Sequence, residues 1–192
     1  MVSDVTTRRV FLALLAITLL GAPQRPLIGA GPPLQRAESW TDFDWALGAW
    51  RTHVRRVKSP LSGETEWLEY EGTTVVHRLL DGRSNVAELR VQGPAGAIAG
   101  VSLRLYHPAR REWSIHYASV ADGQMSPPLI GGFKNGRGEF FGHDTFLGRK
   151  IRVRFVMTDI TPRSARFEQA FSDDGGKTWE VNWIATDTRV EG

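Results

Sequence analysis

The sequence predicts one all-β domain: a single antiparallel up-and-down β-barrel of about ten strands, with a short N-terminal helix plugging one end. Three observations carry that expectation. From Ser39 onward, short runs with period-two alternation or β-branched and aromatic enrichment follow one another almost without interruption. Their connectors are turn chemistry: Ser59-Pro60-Leu61-Ser62-Gly63, Asp81-Gly82, His107-Pro108, Asn135-Gly136, Leu147-Gly148, Thr161-Pro162 and Asp174-Gly175-Gly176. Nothing resembles a crossover helix, so neighbours run antiparallel, and closing into a barrel removes the edges that so many strands would otherwise expose.

The first element is a helical turn over 42–47, which Thr41 can cap, with Asp44 three residues on as an acidic variant of the reciprocal cap. Extended runs follow near 49–58, 64–72, 73–80, 84–92, 97–106, 111–119, 127–134, 138–145, 149–158, 164–172 and 178–189. In 149–158, Ile151, Val153, Phe155 and Met157 share one face while Arg152, Arg154 and Thr158 share the other. The next run sets Arg166, Glu168 and Ala170 opposite Phe167, Gln169 and Phe171. The apolar faces have the natural claim on the interior.

Ahead of the domain lies a leader. Thr7-Arg8-Arg9-Val10-Phe11-Leu12 fits the twin-arginine export pattern, with Arg8 and Arg9 as the signal pair before an apolar run from Val10 to Ala22. At ~1.5 Å per residue that run reaches about 20 Å, short of a bilayer core of roughly 30 Å, and Pro23-Gln24-Arg25-Pro26 ends it. A stable membrane anchor is therefore not expected. Cleavage could follow Ala22, Ala30 or Ala37, and the Gly- and Pro-rich stretch 21–37 reads as a disordered lead-in. The division expected is 1–37 for signal and lead-in and 38–192 for the barrel. The export machinery is then one partner, and the periplasm or the exterior the destination.

Composition excludes several functions. The leader takes four of the 24 basic residues and one of the 21 acidic ones, so the remainder is balanced and offers no concentrated basic face for nucleic acid. The absence of cysteine removes disulfides, thiolate metal sites, cysteine nucleophiles and a lipidated cysteine. The histidines at 53, 77, 107, 116 and 143 form no pair at metal-binding spacing, so no metal is expected. Barrels can assemble ligands from distant strands, which leaves His116 or His143 as conceivable haem ligands, although no cofactor is expected. There is no Gly-x-Ser-x-Gly elbow and no phosphate-binding glycine loop. Seven tryptophans and nine phenylalanines suit either a packed aromatic core or an aromatic-lined pocket.

Two local patterns bear on the architecture. Gly48-Ala49-Trp50, entered from a helical turn, resembles the Gly-x-Trp start of the first strand in lipocalins, where Trp closes the barrel floor. In a closed barrel the last strand lies beside the first, which brings Arg189 towards Trp50 for a guanidinium–indole contact worth ~0.5 to 2 kcal/mol. Ser172-Asp173-Asp174-Gly175-Gly176-Lys177-Thr178-Trp179 resembles the Asp-box of sialidase-type propeller hairpins. Its Asp174 is expected to accept turn N–H groups while Trp179 packs beneath. It occurs once and without a repeat period, so its role is structural.

From Phe43 to Arg189 the chain also resembles an uncharacterised bacterial family of lipocalin-like, calycin-type barrels. The match rests on 43–50, 102–106, Trp113-Ser114-Ile115, 151–155, 159–162, 164–172 and Asn182-Trp183. That resemblance implies a barrel with an internal cavity and conveys no catalytic residues. Haem-holding barrels of the nitrobindin kind would be expected to supply a histidine from the closing strand, and 178–189 has none.

The function expected is binding of a small, largely apolar molecule inside the barrel. Trp67, Tyr117 and Trp183 are the wall candidates, and Arg154 with Glu168, or Asp144, the candidate polar end. Arg154 and Glu168 are expected to meet across the ladder, either outside as an exposed bridge or inside as a recognition pair. Asp144 is either a turn-capping carboxylate or a pocket acid. Two other functions suit the same fold: an isomerase, lyase or hydrolase using an interior carboxylate, Glu168 or Asp144, as acid or base, and a solidly packed barrel that docks a partner on its outer face.

Overall fold

The computed structural model describes residues 39–191, and the leader with its Arg8-Arg9 pair lies outside them. Ten antiparallel strands form one closed barrel: β1 (Gly48–Val57), β2 (Trp67–Leu79), β3 (Ser84–Gly93), β4 (Gly96–His107), β5 (Glu112–Ser119), β6 (Leu129–Lys134), β7 (Arg137–Phe146), β8 (Arg149–Thr158), β9 (Ser164–Ser172) and β10 (Glu180–Arg189). Each strand pairs with its sequence neighbours, and β1 pairs with β10 from Trp50 opposite Arg189 to Arg56 opposite Trp183. Closure leaves every strand with a partner on both sides, although β5 and β6 pair over a short stretch only.

The runs expected at 64–72 and 73–80 are one strand, β2, which crosses position 72 without a turn. Gly72 there marks a close approach: a Cβ at this position would lie 2.0 Å from the carbonyl oxygen of Arg90. Gly131 does the same opposite Glu139, at 1.9 Å. Glycines inside strands are where a barrel wall can bend sharply, and a side chain at either would force the strands apart. Asn135-Gly136 and Leu147-Gly148 have positive φ at both positions, the geometry of tight two-residue hairpins.

The expected helix is two short 3-10 turns, Ser39–Thr41 and Asp44–Ala46. Phe43 precedes the second turn and no side chain caps it; Asp44 instead faces Arg78, 3.4 Å away on β2. This segment plugs the barrel end where β1 begins. Phe43 is fully buried and meets Trp113 and Phe133 edge-on, each at 4.9 Å. The Trp50 indole N–H donates to the carbonyl of Ala46 at 2.7 Å. Arg189 locks the arrangement: its guanidinium lies 4.1 Å from the Trp50 ring centre and donates to the carbonyls of Trp45, Leu47 and Pro162.

At the other end the strands are joined over an unplugged interior. The Asp-box hairpin closes β9 to β10 here. The Asp174 carboxylate accepts from the N–H groups of Lys177 and Thr178 and from the hydroxyls of Thr178 and Ser172. These bonds, the Thr178 hydroxyl foremost, hold the carboxyl far below its ordinary value. The Trp179 indole N–H donates to Gly176, and the ring lies under Arg154 on the outer wall.

Candidate functional site

Strand alternation decides which side chains meet inside. The register aligns Val54 with Ala185 and Tyr70, Thr52 with Asp187 and Gly72, and Trp50 with Arg189 and Thr74, so each of these rows shares the inner face. On the far wall Val153, Phe155 and Met157 of β8 face Gly142, Phe140 and Gly138 of β7. Buried residues concentrate at the plugged end, from Phe43 and Trp113 to Met157, with a smaller cluster around Val54, Tyr70, Val91 and Ala185. The interior is not filled. A cavity of about 300 Å³ runs from Trp45 on the plug to Ser126, Pro127 and Asp144 at the opposite end. That size is at the lower end for small-molecule sites, roughly 300–1,000 Å³.

The middle of the cavity is apolar. Leu89, Val153, Phe155, Phe167, Trp183 and Ala185 wall it, and Phe155 and Phe167 pack edge to face at 4.6 Å. The unplugged end carries Tyr117 and Asp144. Burial raises the Tyr117 phenol above its ordinary value, so it stands there as a neutral hydroxyl. Only three residue pairs join β5 to β6, Trp113 to Ile115 with Gly131 to Leu129. Beyond them Tyr117 is held by Ser126, whose N–H donates to the Tyr117 carbonyl at 2.7 Å and whose hydroxyl accepts from the Tyr117 N–H at 3.1 Å.

The plugged end is polar and charged. Arg104 of β4 and Asp187 of β10 both line the cavity floor. Arg104 is partly buried and lines the cavity. Its guanidinium lies 4.7 Å from the Phe43 ring centre and donates one hydrogen bond, from Nη1 to Asn85 Oδ1 at 3.2 Å. Its buried Nε has no partner. Burial lowers its proton affinity to about 10, partly offset by attraction to Asp187. Asp187 accepts from the Thr52 hydroxyl at 2.5 Å, and Thr52 in turn lies 2.7 Å from the hydroxyl of Thr74. Burial raises the Asp187 carboxyl above its ordinary value, against the Thr52 bond and the charge of Arg104. No ion pair within 4.0 Å joins Arg104 to Asp187 among the described residues. Arg104 and Asp187 therefore line one cavity without an ion pair between them.

No family model matches the chain, and no curated protein matches its sequence. Solved structures do. An S-type phycobiliprotein lyase from Guillardia theta aligns over 78% of this chain and 91% of its own, with TM-score 0.54 and 13% identity. The likeness is one of fold. A de novo designed fluorescence-activating β-barrel aligns over 78% of this chain and 98% of its own, with TM-score 0.42 and 14% identity. A protein of unknown function from Nostoc punctiforme aligns over 81% and 100%, with TM-score 0.22 and 7% identity. At such identities the first comparison supports the closed antiparallel barrel fold and nothing finer.

Against this geometry the sequence-based site divides. Tyr117 and Trp183 line the cavity, and Asp144 sits at its unplugged end, where one carboxylate oxygen also accepts from the Thr145 N–H at 2.7 Å. Trp67 does not line it. The unbroken β2 gives Trp67 the opposite phase to Leu68 and Tyr70, and it packs on the outer wall with the Arg55 guanidinium 5.1 Å from its ring centre. Arg154 and Glu168 are also outside and do not meet. Arg154 stands opposite Ala170 and stacks over Trp179 at 4.8 Å, while Glu168 stands opposite Val156 and pairs with Arg166 on its own strand. Glu168 is therefore not an interior acid or base. A solidly packed barrel is likewise ruled out by the cavity. His116 has the opposite phase to Trp113, Ile115 and Tyr117, whereas exposed His143 stands opposite Arg152 and borders the cavity at its rim. Sequence reasoning missed Arg104 and Asp187.

Proposed function

We propose that this chain is an exported β-barrel protein that binds one small, largely apolar molecule inside the barrel. The observation that carries the binding reading is the cavity itself, an apolar middle section between a charged floor and a polar rim. Burying about 250 Å² of ligand carbon there gains about 6 kcal/mol at ~25 cal/mol per Å². Lost translational and rotational freedom of the ligand offsets much of that gain, so the polar ends must add to it for tight binding. Export rests on the leader: Arg8-Arg9 before a short apolar run points to the twin-arginine route and to a periplasmic or secreted protein. That route carries folded proteins, so the barrel could leave the cytoplasm with its ligand inside. The test is native mass spectrometry, with an absorption spectrum, of protein purified from its producing host. A co-purifying small molecule in one-to-one ratio supports the reading; a bare protein that also binds no apolar probe overturns it.

A second reading, cavity-based acid–base catalysis, is favoured by one observation: a buried carboxyl with raised proton affinity, Asp187, faces the cavity. An isomerase or lyase would use it to hold or deliver a proton. Incubating the recovered molecule with the protein separates the two readings, because a binder returns it unchanged.

A further inference from the structure

We infer that the cavity takes amphiphilic monocarboxylates, bound head-first, with the carboxylate on Arg104 beside Asp187 and the apolar tail running towards Tyr117 and Asp144. This rests on the small-molecule reading above and names its ligand class. The guanidinium of Arg104 makes one hydrogen bond among the described residues, its inaccessible Nε has no acceptor, and the side chain lines the cavity. A buried cation without a counter-ion in contact is unfavourable, and an acceptor group arriving from the ligand relieves it. A carboxylate suits the planar donor fork, since two parallel N–H···O bonds match its two oxygens.

Asp187 narrows the class further. Its carboxyl accepts one bond, from Thr52, and lies in the same floor as Arg104. Burial favours its protonated form, which can donate to a ligand carboxylate; a dianion such as a phosphate monoester would bring a second negative charge with no second free cation to meet it. Two other cations have inward phase at this end and both are engaged: Arg189 with the carbonyls of Trp45, Leu47 and Pro162, and Arg78 with Asp44. Arg166 borders the cavity but pairs with Glu168 on the outer face. A cationic head has no place beside Arg104. Beyond the floor, Leu89, Phe155, Phe167 and Trp183 supply apolar tail contacts, and the titratable groups Asp144 and His143 border only the far end.

The experiment is displacement of the neutral fluorophore N-phenyl-1-naphthylamine by four twelve-carbon competitors: dodecanoate, dodecan-1-ol, dodecylamine and dodecyl phosphate. Dodecanoate is expected to compete at least 10-fold more tightly than the alcohol, with the amine and the phosphate weaker than dodecanoate. In Arg104→Met the advantage over the alcohol is expected to fall below 2-fold. In Arg154→Gln, which removes a cation on the outer wall, it is expected to persist. Equal competition by dodecanoate and dodecanol in the unaltered protein overturns the inference without needing any variant to fold. An Arg104→Met protein that is folded and keeps the preference overturns it too. If the fluorophore binds but head group makes no difference, only this inference falls; if the fluorophore and all four competitors fail to bind, the small-molecule reading falls with it.

Discussion

Replacing Arg104 by methionine tests whether the floor is organised for a ligand or for the fold. Burial lowers the guanidinium's proton affinity from its ordinary value to about 10 inside the barrel. At ~1.36 kcal/mol per pH unit, that difference corresponds to roughly 3 kcal/mol against the charged side chain in the empty protein. Methionine removes that burden and fills much of the same space with apolar atoms. It also removes the contact with the Phe43 ring, worth ~0.5 to 2 kcal/mol, and the bond to Asn85, worth about 1 kcal/mol. The balance is a stability change between about zero and 2 kcal/mol in favour of Arg104→Met. For a domain this size, that is a melting temperature unchanged or raised by up to about 8 °C. Thermal and urea unfolding of the ligand-free proteins measure it. A loss above about 3 kcal/mol, the usual result of breaking a buried ion pair, would refute the reasoning and make Arg104 a structural anchor of the plug.

Three further outcomes follow from the same geometry. Burial raises the Asp187 carboxyl above 3.8, so between that value and its folded value the native chain holds a proton the unfolded chain has released, and stability falls as pH rises through the window. Asp187→Asn should therefore match the unaltered protein below pH 3.8 and become the more stable of the two as pH rises, in urea unfolding across pH 3 to 8; the opposite trend would contradict the burial argument. Arg189→Gln loses three carbonyl contacts and the ring contact that hold the plug to the closing strand, and is expected to cost roughly 3 kcal/mol in the same assay; a change under 0.5 kcal/mol would show that the plug stands without it. Asp174, held far below 3.8, stabilises its hairpin above that value and loses the effect only as pH falls through its lowered one. Asp174→Asn should speed amide exchange at Lys177 and Thr178 at neutral pH while leaving β1 to β4 unchanged, and unaltered rates at those two amides would argue against the hairpin bonds.

Strand periodicity made much of this fold readable. The alternation of Ile151, Val153, Phe155 and Met157 against Arg152 and Arg154 correctly gives the inner face of β8, because apolar and charged residues there separate cleanly by phase. Trp67 is a wall candidate by its aromatic side chain alone, and side-chain type does not give strand phase. Only the unbroken β2 carries the phase from Val76 back through Thr74, Gly72, Tyr70 and Leu68, which leaves Trp67 outside. Arg104 was hidden by its neighbours. In Ser102-Leu103-Arg104-Leu105-Tyr106 the leucines have the stronger claim on an apolar interior, yet the register turns Leu103 and Leu105 outward. A cavity with a charged floor reverses the usual sorting of residues by polarity. One signal was available for Asp187: a barrel that sets Arg189 against Trp50 also turns Asp187, Ala185 and Trp183 inward, two residues apart along the same strand.

The account depends most on the interior being a ligand site, and titration with N-phenyl-1-naphthylamine addresses this directly when the unaltered protein is compared with Ser102→Phe. Ser102 faces the cavity between Ala87 and Tyr117, so a phenylalanine there would occupy ligand space. The expected result is saturable one-to-one binding by the unaltered protein and at least 10-fold weaker binding by the folded variant. Equal binding by both proteins, or none by either, would contradict it.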